Sequence, residues 1–285
     1  MYSNAVRHGP VFYRLCSETP DSFRDMSTLL TPHFNQFDGI TEDNVLLMVL
    51  IWLRQYPTYS LLSVMFGTTS TTVSRVIRST IPILYHHLKS FIVWPSTLQW
   101  KSLQNSWEMF PYAVGCIDGT LHEINIPDHQ QQRYYSGHRH FHALSSQVIV
   151  DVFGNIRFIY TGFEGGTNDA GQFLRLPPIG PGQQLDFPPD CFLLGDKGYA
   201  NRYPVIAPFR QNNVRAAGVN AVGKKLYNTE HAKVRIIVEH TISYIKRYRA
   251  VKECYRHERF MQPIVTDVCA FLAQRQIELG INIRG

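Results

Sequence analysis

The hydrophobic pattern changes period near residue 95. Between 41 and 91 it is helical. The stretch TEDNVLLMVLIWLRQY opens on Thr41, a candidate N-cap, places Glu42 and Asp43 in the first turn, and stays apolar until Pro57 ends it. TYSLLSVMFGTTSTTVSRVIRSTIPILYHHLKSF follows, predicting a short helix over 60–66, a turn at Gly67, a Ser/Thr-rich cap and a second helix carrying Arg75 and Arg78. That is the order of a helix-turn-helix, whose second helix can enter a DNA groove. A plain helical bundle with solvated arginines fits the same pattern.

The stretch VWPSTLQW at 93–100 carries a proline and marks a linker or domain edge, dividing the chain into a helical region, 1–95, and a second domain, 96–285. Beyond it the pattern is strand-like. YAVGCIDGTLHEINI, HALSSQVIVD and NIRFIYTGFEG predict three strands, the last two close enough to form a hairpin around Gly154 and Asn155. NDAGQFLRL predicts a short helix capped by Asn168, CFLLGDKGY a buried strand and VIAPF another. A long helix is expected from about 231 to 251 and a last one over 263–278.

Composition narrows the class. With 44% hydrophobic, 13% aromatic and 18% charged residues the chain reads as folded and globular. Its formal net charge of +6 fits a polyanionic partner such as nucleic acid. Cys16, Cys116, Cys191, Cys254 and Cys269 form no C-x-x-C pair, so neither a disulfide framework nor a zinc knuckle is indicated and a reducing compartment fits. The N-terminal residues lack the apolar core of a secretion signal, and the longest apolar run, 45–53, is too short to span a bilayer. No membrane role is expected.

The candidate chemistry lies in four carboxylates at structural punctuation points. Asp118 breaks the apolar run AVGCI, Asp169 opens the short helix, Asp196 ends FLLGD, and Glu239 sits in the long helix. Singly, each has a plain explanation: Asp169 as a helix cap, Asp196 as a turn former before Gly198, Glu239 as half of an ion pair with Arg235. Jointly they fit an RNase H-like α/β fold, a central mixed sheet flanked by helices, whose first strand, first helix, fourth strand and late helix present residues to one cleft. Carboxylates gathered there repel unless cations sit between them, and hard oxygen donors suit Mg²⁺ or Mn²⁺. Such a site performs two-metal phosphoryl transfer.

Five ordered blocks, AVGCIDGTLHEI, YYSGHRHFHALSSQVIVD, GFEGGTNDAGQF, LLGDKGYANRYPVIAPF and VRIIVEHTISYIKRYRAV, resemble those of PIF/Harbinger-type transposases and the Harbinger-derived nuclease-like proteins. Residues 41–91 also resemble that family's helix-turn-helix, so the likeness covers most of the chain. It implies an RNase H-like DDE endonuclease domain acting on double-stranded DNA with a divalent metal. Asp118 matches the D-G-T block, Asp169 the G-x-x-x-D-S block, Asp196 the D-x-G-Y block and Glu239 the R-x-x-x-E block. Here GTNDAGQF lacks the serine after its Asp, and LHEI replaces the commoner His-Ile.

Arg235, Glu239 and Lys246 also keep an R-(3)-E-(6)-K spacing similar to that of insertion-sequence transposases, with Ala232 where those have a tyrosine. On one helical face these cations would flank a metal ligand and hold phosphate. The resemblance further implies terminal inverted repeats as the DNA, a Myb-like partner protein, a homo-oligomer, and action in the nucleus if the source is eukaryotic. A domesticated DNA- or chromatin-binding protein that keeps the fold without cleavage is the alternative, and a housekeeping nuclease a third.

Arg75 and Arg78 from the helix-turn-helix, with Arg235, Lys246, Arg247 and Arg249, are the candidate DNA contacts; Arg133, Arg139, Lys224 and Lys225 are further basic positions. GHRHFH, with His138, His140 and His142, has no zincin-type partner motif and is not read as a zinc site.

Overall fold

The computed structural model describes residues 1–216 and 218–281. It divides into two compact units, one of 1–91 with 245–273, the other of 92–244 with the chain from 274 onward. A cut between 95 and 96 lies near the first junction, but the return of 245–273 to the first unit has no counterpart in it.

The first unit is helical: α1 (Tyr2–Ala5), α2 (Gly9–Cys16), α3 (Pro20–Leu30), α4 (Glu42–Gln55), α5 (Tyr59–Phe66) and α6 (Ser70–Leu88). The first three lie where no element was expected. Thr41 caps α4 by accepting from the Asn44 amide at 3.4 Å, and residues 45–53 are all buried. A helix apolar on every side has to be surrounded, so α4 is the axis of this unit. Thr58 caps α5, which ends on Gly67 in the left-handed region, where the missing Cβ avoids a steric penalty. Thr69 then caps α6 through the Thr72 amide at 3.2 Å. Val73, Val76, Ile77, Ile81, Leu84 and Leu88 face inward at helical spacing, leaving Arg75 and Arg78 exposed.

The second unit is built on a mixed sheet. After α7 (Thr97–Lys101) come β1 (Ala113–Glu123), α8 (Gln131–Tyr134), β2 (Tyr135–Ser136), β3 (Phe141–Asp151) and β4 (Ile156–Glu164). Then follow α9 (Asp169–Phe173), β5 (Ile179–Gly180), β6 (Leu185–Asp186), β7 (Phe192–Leu194), β8 (Val205–Ile206), α10 (Gln211–Arg215) and α11 (Ala221–Ile245). The sheet runs β2-β3-β1-β7-β8, with β4 also paired to β3, while β5 and β6 form a separate pair. β1 is central: antiparallel to β3, with Gly119 opposite Gln147, and parallel to β7, with Cys116 opposite Leu194. Trp100, Val114, Ile117, Ile149, Phe187 and Leu193 build its core.

The long helix differs from expectation at both ends. It starts at Ala221 and stops at Ile245; α12 (Arg249–Lys252) and α13 (Gln262–Glu278) then return to the first unit. Lys246 therefore lies beyond the helix and shares no helical face with Arg235 and Glu239. Tyr248, Ala250 and Val251 are buried, and α12 packs on α4, which ends the helix where the local sequence carries no breaker. No helix among the described residues is long and apolar enough to cross a membrane.

The β3–β4 hairpin hangs on Asp151, which is fully buried. Its carboxylate accepts from the amides of Phe153 (2.8 Å) and Asn155 (3.0 Å) and pairs with Arg157 at 2.7 Å. Asp151→Ala strands both amides and the guanidinium, and is expected to lower unfolding free energy by roughly 2–4 kcal/mol. Urea denaturation measures this; a loss within error of zero would refute the anchoring role.

Candidate active site

The acids come together because β1 outlasts its parallel neighbour. β7 stops at Leu194, opposite Cys116, so Asp196 and Asp118, which is still within β1 and paired to β3, both lie just past the end of the β1–β7 pairing. In open α/β sheets this is where ligands bind. Burial along β1 is complete from Ala113 to Ile117 and relaxes at Asp118, whose side chain is 20% exposed. Asp169, the first residue of α9, is brought in by the loop after β4, with Asn168 capping the helix through the Gly171 amide at 2.8 Å.

Two glycines make the approach possible. A Cβ on Gly119 would collide with Asp169 Oδ1 and lie 2.9 Å from Gln147 Nε2. A Cβ on Gly198 would lie 2.8 Å from Asp196 Oδ1 and 3.0 Å from Asp169 Oδ2. Asp169 thus occupies space that side chains in D-G-T and D-K-G would fill. Successive residues of a strand face opposite sides, so Gly119 meets Asp169 on one face of β1 while Asp118 turns toward α11 on the other. There Arg235, only 11% exposed, pairs with Asp118 at 3.1 Å.

Charge follows from this placement. Burial pushes the Asp118 carboxyl up to about 6; Arg235 pulls it down, and Asp196 and Asp169 push it up again. Asp169 is raised by burial and by Asp196, against a hydrogen bond from Gln147. Tyr199, 2% exposed, is held well above the usual phenol range, first by burial and then by Asp169, Asp118 and Asp196. The carboxylates therefore share one field, with the Arg235 guanidinium as the cation within it. Its Nε is buried without a partner.

The donors are chemically suited to a hard divalent cation, being oxygen ligands whose mutual repulsion a cation relieves. Among the described residues, no group of three or more His, Cys, Asp or Glu is placed to hold a metal as it stands.

Glu239 lies exposed on α11, one turn beyond Arg235. Arg235 pairs with Asp118, so neither the surface pair with Glu239 nor an open phosphate contact is its arrangement. Lys246, Arg247 and Arg249 belong to the first unit; the Arg247 carbonyl accepts from Arg54, and Arg249 pairs with Glu253 at 2.5 Å. Arg78 pairs with Glu258, while Arg75 stays exposed on α6. Of the further basic positions, Arg133 pairs with Glu164 and Lys224 sits over the Phe209 ring. The sequence reading missed Gln147, Gln172 and Tyr199, although the polar triplet Ser145, Ser146 and Gln147 inside an otherwise apolar strand was a signal for them.

A helix-turn-helix region thus precedes, in the chain, a mixed α/β unit whose aspartates gather where the β1–β7 pairing ends. The chain belongs to the DDE superfamily endonuclease family, which matches residues 117–274, and the helix-turn-helix of DDE superfamily endonuclease matches 41–90. It is similar to a "Probable transposase for insertion sequence element IS702" from Microchaete diplosiphon, 25% identical over 225 residues, which is 78% of this chain and 76% of that protein. No solved structure matches it.

The raised Asp118 has a consequence for stability. Its folded value exceeds the ordinary 3.8, so between 3.8 and about 6 the folded chain holds a proton that the unfolded chain releases. That stability is full below the lower value and lost as pH rises through the upper one. In urea titrations across this interval the metal-free protein is expected to lose stability that Asp118→Asn retains. Parallel curves for the two proteins would sink the assignment.

Proposed function

We propose that the protein is a divalent-metal-dependent endonuclease or transposase that cuts phosphodiester bonds in double-stranded DNA. The observation that carries the reading is the convergence of Asp118, Asp169 and Asp196 where the β1–β7 pairing ends, with Asp118 and Asp169 pushed up by burial and like charge. Asp118, Asp169 and Asp196 would hold Mg²⁺ or Mn²⁺, with Glu239 as the fourth acid from α11. Bound cations of this kind activate a water or 3′-hydroxyl nucleophile and stabilise the leaving oxygen, in a two-metal arrangement.

The chain's own groups supply placement. Gly119 and Gly198 admit Asp169, and Arg235 neutralises Asp118 while the acids carry full charge. Arg75, exposed on the second helix of the helix-turn-helix, is the foremost candidate for a groove or phosphate contact. Arg78 and Arg249 each have a carboxylate partner to exchange for phosphate, and Lys246 and Arg247 stand near Arg249 in sequence. The motif blocks support the finer placement among PIF/Harbinger-type proteins with an RNase H-like fold. On that placement the DNA is a terminal inverted repeat, with a Myb-like partner, a homo-oligomer and nuclear action in a eukaryote.

A second reading, a DNA- or chromatin-binding protein without cleavage, is favoured by one observation: Asp118 is ion-paired to Arg235. Duplex DNA carrying candidate terminal repeats, incubated with Mg²⁺ or with EDTA, separates the two. Nicking that needs Mg²⁺ and falls by about two orders of magnitude in Asp118→Asn, Asp196→Asn and Glu239→Gln is the expected result. Tight binding with no cleavage in Mg²⁺ selects the second reading, and full activity in Glu239→Gln removes that acid from the site. Arg75→Ala is expected to weaken DNA binding across sequences and to reduce the slope of log affinity against log salt by about 1. An unchanged slope would take Arg75 out of the interface.

A further inference from the structure

Behind Asp169 lies a set of polar side chains with almost no exposure. Gln147 (0%), Gln172 (2%), Tyr199 (2%) and Ser145 (2%) occupy positions where a core normally places apolar groups. Gln147 Nε2 donates to Asp169 Oδ1 at 3.3 Å and to Gln172 Oε1 at 2.9 Å, and its Oε1 accepts from the Tyr199 hydroxyl. Gln172 Nε2 in turn donates to the Thr167 carbonyl at 2.7 Å. Ser145 Oγ lies 3.2 Å from the Thr120 carbonyl and 3.1 Å from Gln172 Oε1.

These bonds fit only one direction. The Asp169 carboxylate and Gln172 Oε1 can only accept, so the Gln147 atom facing them is Nε2, and its carbonyl oxygen takes the Tyr199 hydroxyl hydrogen. A flipped amide would set an oxygen against the Asp169 carboxylate and against Gln172 Oε1, and aim two donors at the Tyr199 hydroxyl. Gln172 is held the same way round by Thr167, whose carbonyl can only accept. Gly119, directly opposite Gln147 in the strand pair, keeps open the space in which Gln147 meets Asp169.

We propose that Gln147 is a positioning residue that fixes the orientation of the Asp169 carboxylate at the strand ends, with Tyr199 and Gln172 setting the direction of its amide. The inference rests on Asp169 being a cation ligand, as proposed above. Gln147 is buried and acts through Asp169. An amide donor is suited to the role because it orients a carboxylate without the charge that a Lys or Arg would add and without withdrawing it from a cation.

Two measurements test this, the first independent of metal. In metal-free protein labelled with ¹⁵N-glutamine, Asp169→Asn is expected to move the side-chain amide signals of Gln147; signals that stay in place overturn the proposal. In calorimetric Mn²⁺ titrations, Gln147→Leu is expected to weaken binding by about 10–100-fold. Tyr199→Phe, which keeps the ring and removes only the orienting hydroxyl, is expected to weaken it several-fold, and it replaces Gln147→Leu should that variant fail to fold. In an Asp169→Asn background both effects should vanish, whereas a merely structural role would lower melting temperature without this non-additivity. Unchanged Mn²⁺ affinity in the variants, or full additivity with Asp169→Asn, overturns the proposal. Moved amide signals with no Mn²⁺ binding by the unaltered protein overturn the metal reading of the site and leave the Gln147–Asp169 contact standing.

Discussion

Parallel pairing between a long strand and a short one is the constraint from which the site follows. β7 ends opposite Cys116, so the chain leaves the sheet after Leu194 toward Asp196 while β1 runs on, still paired to β3, through Asp118. Carboxylates brought together in partial burial repel, which by itself opposes folding. The surroundings answer this in three ways. Arg235 neutralises one acid, a buried glutamine donates to another, and two glycines provide the room. The apolar start of β1 makes the strand stiff enough to hold the arrangement, because Val114 and Ile117 are locked into the core beneath it.

Much of this was legible in the chain. The helix-turn-helix was readable because its signals are local: a turn at Gly67, a Ser/Thr-rich cap before the second helix, and apolar residues at helical spacing. Asp118 was readable because charge seldom interrupts an apolar strand. The partner of Arg235 was not. Helical spacing offered Glu239 at i+4, and only the sheet brought Asp118 closer. The end of the long helix was equally hidden, since the run from Lys246 to Arg249 has no Pro or Gly and the break is imposed by burial of Tyr248 and Val251. Its start was missed because AVGKKLYNTE carries a glycine and no clear apolar stripe.

The buried glutamines show how polar residues inside a sheet carry information that hydrophobic periodicity discards. In HALSSQVIVD every position from Ala143 onward is buried, polar or not. A pattern reading treats the central serines and glutamine as noise in a strand. Each satisfies a specific partner: Ser145 reaches backbone, Ser146 lies 3.0 Å from His122, and Gln147 meets Asp169. The fold is set by the apolar ends of this strand, and the site by its middle.

The return of residues 245–273 to the helical unit bears on how the chain comes off the ribosome. α13 contributes Val265, Val268, Phe271 and Leu272 to that unit's interior, so α1 to α6 lack part of their core until residues 245–273 have been synthesised. Domains generally fold as units in the order of synthesis. Here α1 to α6 must keep an apolar axis, α4, from misassociating while the sheet-bearing unit is synthesised, which makes residues 245–273 the step that closes the helical unit.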